Sequence, residues 1–502
     1  MSKGKVIIIG SGLGGLSSGV ILAKNGYQVT LLEQGAQIGG CLQCFTRHGA
    51  KFETGMHFIG SAAPGQVMDK LLSYLEVKKD IELSPLDKEG YEVISLEGKK
   101  FRYATSKERF IETLAEEFPS QKENLKRYYS LVEAVARASK LHSFKSDQGE
   151  GDISMTTEYQ LLPMDSVIDE IITDPLLAKV LVGNLPLYAA QKGKTPFATH
   201  AFIMDFYNQS SFRIAGGSDR VALSLSNTIK RYGGEVLTSH KVVKILCDAS
   251  KATGVEVASG EIFEADYVIS DAHPAVTLDL VDSHLIRPIF RKRIKSIPQS
   301  IGCFTVYLDF KEDTVPYMNS NYYGYDASPW ECEDYDQESW PKGFLYMHMC
   351  HKRDPKFARA GVILSYMKMA EVEEFRGTKV GHRGAEYEEF KRVKAEKLLE
   401  SLERHFPGLN ASLRNIYTST PLTYEDYTGT PEGGMYGIAK DASLGPAGRI
   451  PHKTRIPNLF FTGQNVNSHG MLGVLVGTIV TCSEFLGSQE IYNQIAKANL
   501  DL

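Results

Sequence analysis

The first forty residues place the strongest constraint on the fold. The β-branched run at residues 6–9 predicts a buried parallel strand, and a glycine-rich turn at residues 10–15 follows it directly. An apolar stretch of helical period then ends at Asn25 and Gly26, and a second predicted strand leads to Glu33. Strand, glycine turn, helix, strand and acid in this order indicate a dinucleotide-binding site in an α/β fold.

Each residue type in the turn serves the binding of a pyrophosphate. Gly10 permits the tight turn, Gly12 lets the backbone approach the phosphates, and Gly15 allows the helix to pack closely on the strand. The phosphates then meet the unpaired N–H groups and the positive end of the helix dipole. The Glu33 carboxylate lies at the distance along the chain where it can bind a ribose. We therefore predict cofactor contacts from Gly10, Ser11, Gly12, Leu13, Gly14, Gly15, Glu33 and Gln34.

Length and charge limit the class of protein. With 502 residues the chain exceeds the size at which single cores stop growing, so two joined domains are expected. A net charge of -5, with the basic residues spread along the chain, gives no electrostatic footprint for nucleic acid. We find no apolar stretch long enough for a transmembrane helix. We expect a cytoplasmic protein, and peripheral contact with a membrane stays open.

Seven cysteines in so long a chain do not suggest a disulfide framework. Cys41 and Cys44 have the spacing of a redox or metal pair, but no second pair accompanies them to complete a zinc site. We predict no metal. For the pair itself two interpretations remain: a structural loop beside the glycines, and a thiol active in electron transfer.

The middle of the chain is predicted to be mostly helical from residue 66 to about 190, after which strands return. A strand pair is expected near residues 92–101, one strand at 235–246, and further strands at 255–257 and 262–271. The apolar stretch at 176–188 fits helix packing, a substrate tunnel wall or a surface that dips into lipid. The aromatic, acidic segment 317–340 fits a solvated surface loop, with a lid over an apolar ligand as the alternative. Residues 387–406 are predicted to form a charged, solvated helix.

Four separated segments together resemble the retinol saturase branch of the phytoene desaturase family of FAD flavoproteins. They span the chain, and the last three are more specific than the glycine turn: residues 10–15 with Glu33, residues 53–60, residues 419–423 with 428–437, and residues 462–473. The chain departs from the family pattern at Gln464 and Asn465, where family members commonly have an aspartate. The ribityl contact would then come from an amide.

The resemblance implies FAD as cofactor and a conjugated polyene lipid as substrate. It also implies further cofactor contacts from the second glycine turn, the adenine-facing strand and the last motif: Gly39, Gly40, Cys41, Thr54, Gly55, Met56, Val242, Val243, Gly463, Gln464, Asn465, Gly473 and Val474. The sequence contains no second unit of strand, glycine turn and helix that would bind NAD(P)H. A separate electron donor is therefore a possible partner.

The predicted fold is α/β: a Rossmann-like, two-dinucleotide-binding FAD domain with a discontinuous α+β substrate domain of mixed sheet and helices. We assign residues 1–75, 216–290 and 440–502 to the FAD domain, and residues 76–215 and 291–439 to the substrate domain.

The predicted reaction is a flavin-dependent reduction of a carbon–carbon double bond in a retinoid-like or carotenoid-like polyene. A desaturase or a redox-neutral isomerase on the same substrates is the nearest alternative, and a non-enzymatic lipid-binding protein of the Rab GDP dissociation inhibitor type is an alternative of another class. His57, Tyr436 and His469 are the candidate catalytic residues, each weighed against a packing or capping role.

Overall fold

The computed structural model describes residues 2–138, 158–466 and 468–500. These residues form the helices α1 (Leu13–Lys24), α2 (Val67–Tyr74), α3 (Lys107–Glu117), α4 (Lys122–Arg137), α5 (Met164–Ile171), α6 (Pro175–Leu181), α7 (Phe197–Gln209), α8 (Asp219–Arg231), α9 (Pro274–Leu280), α10 (Pro288–Lys295), α11 (Ala385–His405), α12 (Pro421–Thr428), α13 (Gly470–Leu486) and α14 (Ser488–Lys497).

The strands are distributed over the whole chain. In chain order they are β1 (Lys5–Ile9), β2 (Gln28–Leu32), β3 (Cys44–Arg47), β4 (Ala50–Glu53), β5 (Ile59–Gly60), β6 (Leu83–Pro85), β7 (Glu92–Leu96), β8 (Lys99–Tyr103), β9 (Ser211–Ile214), β10 (Glu235–Leu237), β11 (Val242–Cys247), β12 (Ala252–Val257), β13 (Ile262–Glu264), β14 (Tyr267–Ser270), β15 (Gly302–Phe310), β16 (Asn321–Tyr325), β17 (Gly343–His348), β18 (Ala360–Met367), β19 (Leu413–Ser419) and β20 (Leu459–Phe461).

A five-stranded parallel sheet in the order β10-β2-β1-β14-β20 forms the first layer. β1 lies at its centre, where Ile8 faces Leu31 of β2 on one side and Ile269 of β14 on the other. All three side chains are fully buried. Strands of a parallel sheet are covered on both faces, which explains the continuous apolar run of β1. α1 returns across this sheet and packs against α8 and α13.

A seven-stranded sheet in the order β19-β15-β18-β17-β16-β7-β8 forms the second body. Its neighbours are antiparallel except for β16 and β7, which run parallel. Every residue of β15 is buried, so both faces of the central strands are covered. The long helix α11, predicted at 387–406 and found at Ala385–His405, packs against β15 and β19.

Smaller sheets connect these two bodies. β5, β9 and β6 form a three-stranded antiparallel sheet, and β3 pairs with β4. The predicted class, a Rossmann-like domain with a discontinuous substrate domain of mixed sheet and helices, is confirmed. The strands of the parallel sheet fall within 1–75, 216–290 and 440–502, and those of the mixed sheet within 76–215 and 291–439. The boundaries themselves stay a prediction.

The single strand predicted at 235–246 is wrong. The structure forms two strands in different sheets, β10 beside β2 and β11 beside β12. The chain turns between them at Ser239, whose φ is +59°. The N–H groups of Ser239 and His240 donate to the carbonyls of Gly35 and Glu33, and these bonds hold the turn against the end of β2.

The surface-loop prediction for 317–340 is wrong at residues 321–325, near the start of the segment. Residues of β16 are all buried and pair with β17 on one side and β7 on the other. Both faces of this strand are covered, so its tyrosines do not alternate with solvated residues. The sequence therefore lacks the alternating pattern that identifies a half-buried strand. Trp340, at the far end of the segment, is buried as well.

Helices occupy much of the region predicted to be helical at 66–190, while residues 139–157 lie outside the described residues. Over the described ranges no single helix is long and apolar enough to cross a membrane. Taken together, α13 and α14 are long and apolar enough, but a bend of 117° separates them.

Candidate active site

The glycine turn at the end of β1 is shaped by close approaches of the backbone. A Cβ on Gly15 would lie 2.1 Å from the carbonyl oxygen of Gly10, and one on Gly14 would lie 2.8 Å from the Cα of Gly463. Real Cβ atoms do not make such contacts, so both positions require glycine. α1 therefore begins directly on the turn, and its N-cap residue Gly12 offers no side chain to cap the helix. The first N–H groups of α1 have no capping side chain of the helix itself, and those of Gly12 and Gly15 reach the Asp271 carboxylate described below.

Glu33 lies at the carboxyl end of β2, beside the turn. Its carboxylate accepts hydrogen bonds from the Ser11 N–H at 3.0 Å, from the Ser11 hydroxyl, and from the Gly35 N–H at 2.7 Å. The side chain is 8% exposed and lines the cavity described below. The acid predicted to bind a ribose is thus held in one orientation by the turn itself.

Asp271 is a residue of this site that the sequence patterns did not single out. It follows β14, and its carboxylate lies so close to the turn that a Cβ on Gly12 would be 2.4 Å from Oδ2. Loss of solvent raises the pKa of Asp271 to about 7; the N–H groups of Gly15 and Gly12 oppose this rise, and the Glu33 carboxylate adds to it. The signal that could have found Asp271 is its place at the carboxyl end of a parallel strand next to β1.

The second glycine turn brings Cys41 to the site. Gly39 and Gly40 both have positive φ, and the Gly39 N–H donates to the carbonyl oxygen of Ser11, which joins the two turns. Cys41 lines the cavity, and burial raises its thiol pKa to about 11. Cys44 is buried away from the cavity with a pKa raised to about 12. Both thiols stay protonated near neutral pH, which favours the loop role over a thiol active in electron transfer.

The last predicted motif lies between β20 and α13. The Asn465 side-chain oxygen accepts a hydrogen bond from the Ile438 N–H at 2.9 Å, and a Cβ on Gly437 would lie 2.0 Å from that oxygen. Gln464 and Asn465 line the cavity where the family pattern has an aspartate. Gly470 and Met471, at the start of α13, line it too, and α13 has no side-chain cap. A second uncapped helix start thus faces the same space.

One cavity joins these elements and encloses about 2040 Å³ of empty space, including its open mouth. Most of the predicted cofactor residues line it: Gly10, Ser11, Gly12, Leu13, Gly14, Glu33, Gln34, Gly39, Gly40, Cys41, Gly55, Met56, Val242, Gln464, Asn465 and Val474. The glycine cradle, the two uncapped helix starts and the fixed carboxylate fit an adenine dinucleotide with a pyrophosphate, as in FAD. The assignment of each residue to the cofactor stays a prediction.

Some predicted residues lie outside this lining. Gly15, Gly463 and Gly473 act through close packing, because a Cβ on any of them would clash with backbone or side-chain atoms at 2.6 Å or less. Val243 is 42% exposed and follows Val242, whose side chain does line the cavity; successive residues of a strand point to opposite faces. Thr54 is set behind the wall, where its hydroxyl donates to the Gln43 carbonyl at 2.8 Å.

The three candidate catalytic residues occupy different surroundings. His57 lines the cavity, and its Nδ1 lies 3.5 Å from Oε2 of Glu53 without forming a hydrogen bond. Tyr436 also lines the cavity, but its hydroxyl donates to the Pro186 carbonyl at 2.9 Å.

His469 is not part of the cavity lining. Its ring lies 4.7 Å from that of Tyr436, centroid to centroid, and neither ring nitrogen has a hydrogen-bond partner within the described residues. Burial, with a smaller contribution from Lys440, lowers the pKa of His469 to about 3. A histidine that stays neutral at physiological pH cannot serve as a general acid there, so the structure favours a packing role for His469.

The other end of the cavity is formed by residues that the sequence patterns did not connect to the site. Apolar side chains from the mixed sheet and the helical region lie there, together with tyrosines: Leu187, Leu345, Met347, Leu364, Met435, Tyr207 and Tyr424. They come from segments far apart in sequence, so local periodicity gave no signal. Leu187 belongs to the apolar stretch 176–188, for which a tunnel wall was one interpretation. Within residues 2–138, 158–466 and 468–500 no cluster of His, Cys, Asp and Glu could hold a metal ion.

The parallel sheet, the paired glycine turns and the cavity that continues into a mixed sheet define an FAD-dependent oxidoreductase. The model of the flavin-containing amine oxidoreductase family matches residues 13–371. The chain belongs to this family, and the predicted cofactor class and enzyme class are confirmed.

Individual relatives agree with this assignment. The chain is 27% identical to all-trans-retinol 13,14-reductase of Rattus norvegicus, with 97% of this chain and 86% of the relative covered. It is 25% identical to a neurosporene-forming phytoene desaturase of Cereibacter sphaeroides, with 94% of this chain and 92% of the relative covered. The crystal structure of an oxidoreductase from Methanosarcina mazei has the same fold, with a TM-score of 0.66 at 17% identity and with 95% and 100% of the two chains covered.

Replacement of Gly14 by alanine is expected to weaken FAD binding at least about tenfold, which corresponds to about 1.4 kcal/mol. The new methyl group would lie 2.5 Å from Oδ1 of Asp271 and 2.8 Å from the Gly463 backbone, so the cradle must open. Flavin absorbance per protein and titration of the apoprotein with FAD measure the effect. Gly233→Ala, at a glycine with open surroundings and positive φ, controls for general loss of stability. Full flavin content in Gly14→Ala would contradict the assignment.

Asp271 is expected to make the apoprotein less stable as the pH rises from about 4 to 7. The folded state retains a proton up to pH 7, whereas an unfolded aspartate loses it near pH 4, so the folded state binds more protons across this range. Asp271→Asn removes the titrating group. The melting temperature of this variant minus that of the wild type should therefore be larger at pH 8 than at pH 5. Asp282→Asn, at an exposed site, is the control. An equal difference at both pH values would show that Asp271 has an ordinary pKa.

Proposed function

We propose that this flavoprotein reduces a carbon–carbon double bond of a conjugated polyene lipid. The observation that carries the proposal is the continuity of the cavity, which begins at the two glycine turns and ends between apolar side chains of the mixed sheet. The names of the two relatives, a retinol reductase and a phytoene desaturase, point to the same class of substrate.

The substrate end of the cavity suits a long apolar molecule. Leu345 and Met347 lie on β17, and Leu364 lies opposite on β18, where it pairs directly with Leu345. Each of these side chains is at least nine-tenths buried, so the wall is formed by the core of the sheet. A wall of this kind orients an apolar chain and excludes water, which are the main contributions that a protein makes to hydride chemistry.

When bound in reduced form, FAD supplies a hydride to one carbon of the double bond, and the other carbon then requires a proton. Of the three candidate residues, His57 is best placed to deliver it. It lines the cavity between Met56 and Phe58, in the segment that connects β4 to β5. Its Nδ1 faces the Glu53 carboxylate at 3.5 Å, which leaves Nε2 for the substrate. Glu53 is itself fixed by the Ser218 N–H, which donates to Oε1 at 3.0 Å.

The backbone of His57 is held as firmly as its ring. Its carbonyl oxygen accepts a hydrogen bond from the Arg213 guanidinium at 3.3 Å, and Arg213 is 1% exposed. The same guanidinium donates to Oδ1 of Asn321 on β16 at 2.8 Å. The position of His57 relative to the mixed sheet is therefore set by a buried cation that joins the two bodies.

Several finer points belong to the proposal. The direction of the reaction is reduction, with desaturation and redox-neutral isomerisation as the alternatives. In the proposed domain division, residues 1–75, 216–290 and 440–502 form the FAD domain and residues 76–215 and 291–439 form the substrate domain. A separate electron donor reduces the flavin. A lipid substrate must be loaded from a membrane or a carrier, so peripheral membrane contact is included as well. The cytoplasmic location stays a prediction.

Anaerobic turnover with chemically reduced holoenzyme separates the possible reactions. A saturase consumes flavin electrons and yields a product two hydrogens heavier with a shortened chromophore. An unchanged mass with altered geometry would mean isomerisation, and a product two hydrogens lighter, formed with oxidised flavin, would mean desaturation. The flavin-poor Gly14→Ala protein is the negative control. No change in a panel of retinoids and carotenoids would overturn the proposal.

His57→Gln is expected to lower turnover about a hundredfold, the usual contribution of a general acid, while flavin content stays at the wild-type level. The glutamine keeps much of the side-chain volume but cannot deliver a proton near neutral pH. His351→Gln, at an exposed histidine, is the matched control. Turnover equal to wild type in the His57 variant would exclude the assigned role.

A further inference from the structure

The substrate end of the cavity contains one phenol that the fold leaves without a partner. Four tyrosines line the cavity: Tyr207, Tyr424, Tyr427 and Tyr436. The hydroxyl of Tyr424 donates to the Thr54 carbonyl at 3.2 Å, and that of Tyr436 donates to the Pro186 carbonyl. Tyr427 is 58% exposed. The hydroxyl of Tyr207 has no hydrogen-bond partner within the residues that the structure describes.

Tyr207 is nevertheless fixed in place. It lies in the last turn of α7 and is 8% exposed, and its ring packs against Phe58 at 4.7 Å and against Phe206 at 5.0 Å, centroid to centroid. Its carbonyl oxygen accepts the Ser211 hydroxyl at 2.7 Å. The ring and backbone of Tyr207 are thus held on several sides, and the side chain borders the cavity.

The phenol is a hydrogen-bond donor at all physiological pH values. Burial raises its pKa above the usual range, and the buried carboxyl group of Glu92 adds to this rise. Buried hydroxyls in folded proteins are normally paired, and an unpaired one facing a cavity is most simply satisfied by a ligand. The neighbouring wall residues Leu187, Leu345 and Met347 offer no acceptor.

We propose that Tyr207 donates a hydrogen bond to an oxygen atom of the substrate and so makes the enzyme select oxygenated polyenes over polyene hydrocarbons. This inference rests on the proposed function. His57, Phe58 and Tyr207 all line the cavity, and the rings of Phe58 and Tyr207 are in contact. A site with a positioned hydrogen-bonding group rejects analogues that lack the matching atom, because the group is then left unpaired.

The charge of the surroundings favours a neutral oxygen. Lys241, Asp271, Glu33 and His273 of the cavity wall lie on the glycine-turn side or next to the adenine-facing strand, whereas His57 precedes Phe58, which packs against Tyr207. Near Tyr207 the ionisable neighbour is Glu92, whose carboxyl group accepts from the Tyr323 hydroxyl at 3.0 Å and the Asn184 amide at 3.1 Å. A carboxylate substrate would place a second acidic group beside this buried carboxyl group, so an alcohol or carbonyl group fits better than an acid.

Equilibrium binding to the oxidised holoenzyme tests this selection without turnover. The probes are all-trans-retinol and axerophtene, which lacks only the hydroxyl, and quenching of protein fluorescence reports both dissociation constants. In Tyr207→Phe we expect the dissociation constant of retinol to rise and that of axerophtene to stay the same. The ratio of the axerophtene dissociation constant to the retinol dissociation constant should therefore fall about tenfold. Tyr207→Met is a second variant without the phenol. Tyr129→Phe, which removes a buried hydroxyl bonded to Asn208 outside the cavity wall, should leave the ratio unchanged.

Each outcome decides the matter. An unchanged ratio in both Tyr207 variants, with both probes bound, overturns the role of Tyr207 and leaves the proposed function standing. Tighter binding of all-trans-retinoic acid than of retinol by the wild-type holoenzyme overturns the selection of a neutral oxygen. If the wild-type holoenzyme binds none of the three retinoids and reduces no polyene, the proposed function and this inference both fail.

Discussion

The contact between the glycine turn and Asp271 is the constraint on which the site depends. Gly12, Gly14 and Gly463 come from the two ends of the chain, and a Cβ on any of them would lie within 2.5 Å of an Asp271 carboxylate oxygen. Three glycines from two backbone segments and one carboxyl group thus share the space at the start of α1. An anionic cofactor placed there adds negative charge beside Asp271 and Glu33. The positive end of the α1 dipole stabilises that negative charge. In the protein alone, loss of solvent raises the pKa of Asp271, the Glu33 carboxylate adds to the rise, and the N–H groups of Gly15 and Gly12 oppose it.

The cavity exists because the chain crosses repeatedly between the two sheets. β3 to β5 leave the parallel sheet and reach β9, and the segment after α12 returns past Tyr436 to β20. Arg213 on β9 reinforces this crossing, because it binds the backbone of His57 and the side chain of Asn321 at once. The glycine turns supply the polar end of the cavity and the mixed sheet supplies the apolar end. Neither body forms the cavity alone.

The sequence predicted what depends on local pattern. β1, α1, β2 and Glu33 follow from residue spacing, since only glycine fits the close approaches of Gly14 and Gly15. The mixed sheet was predicted only in part, because β16 is covered on both faces and shows no alternation. Asp271 and Tyr207 were missed for another reason: each acts through a neighbour distant in sequence. Val243 and His469 lie outside the cavity lining, and their assignments stay predictions, because a motif gives the segment but not the contacts of each residue.

The order of strands in the parallel sheet has a consequence for biosynthesis. β20 completes the edge of the sheet beside β14, yet residues 271–458 must be made between them. Gly463 and the start of α13, which close the cradle from the other side, emerge later still. The chain on the ribosome therefore carries the open, apolar edge of β14 while residues 271–458 are made, and such edges invite wrong association. The cradle is complete only after Gly463 and the start of α13 have been made, so a product that ends before β20 lacks part of the cofactor site.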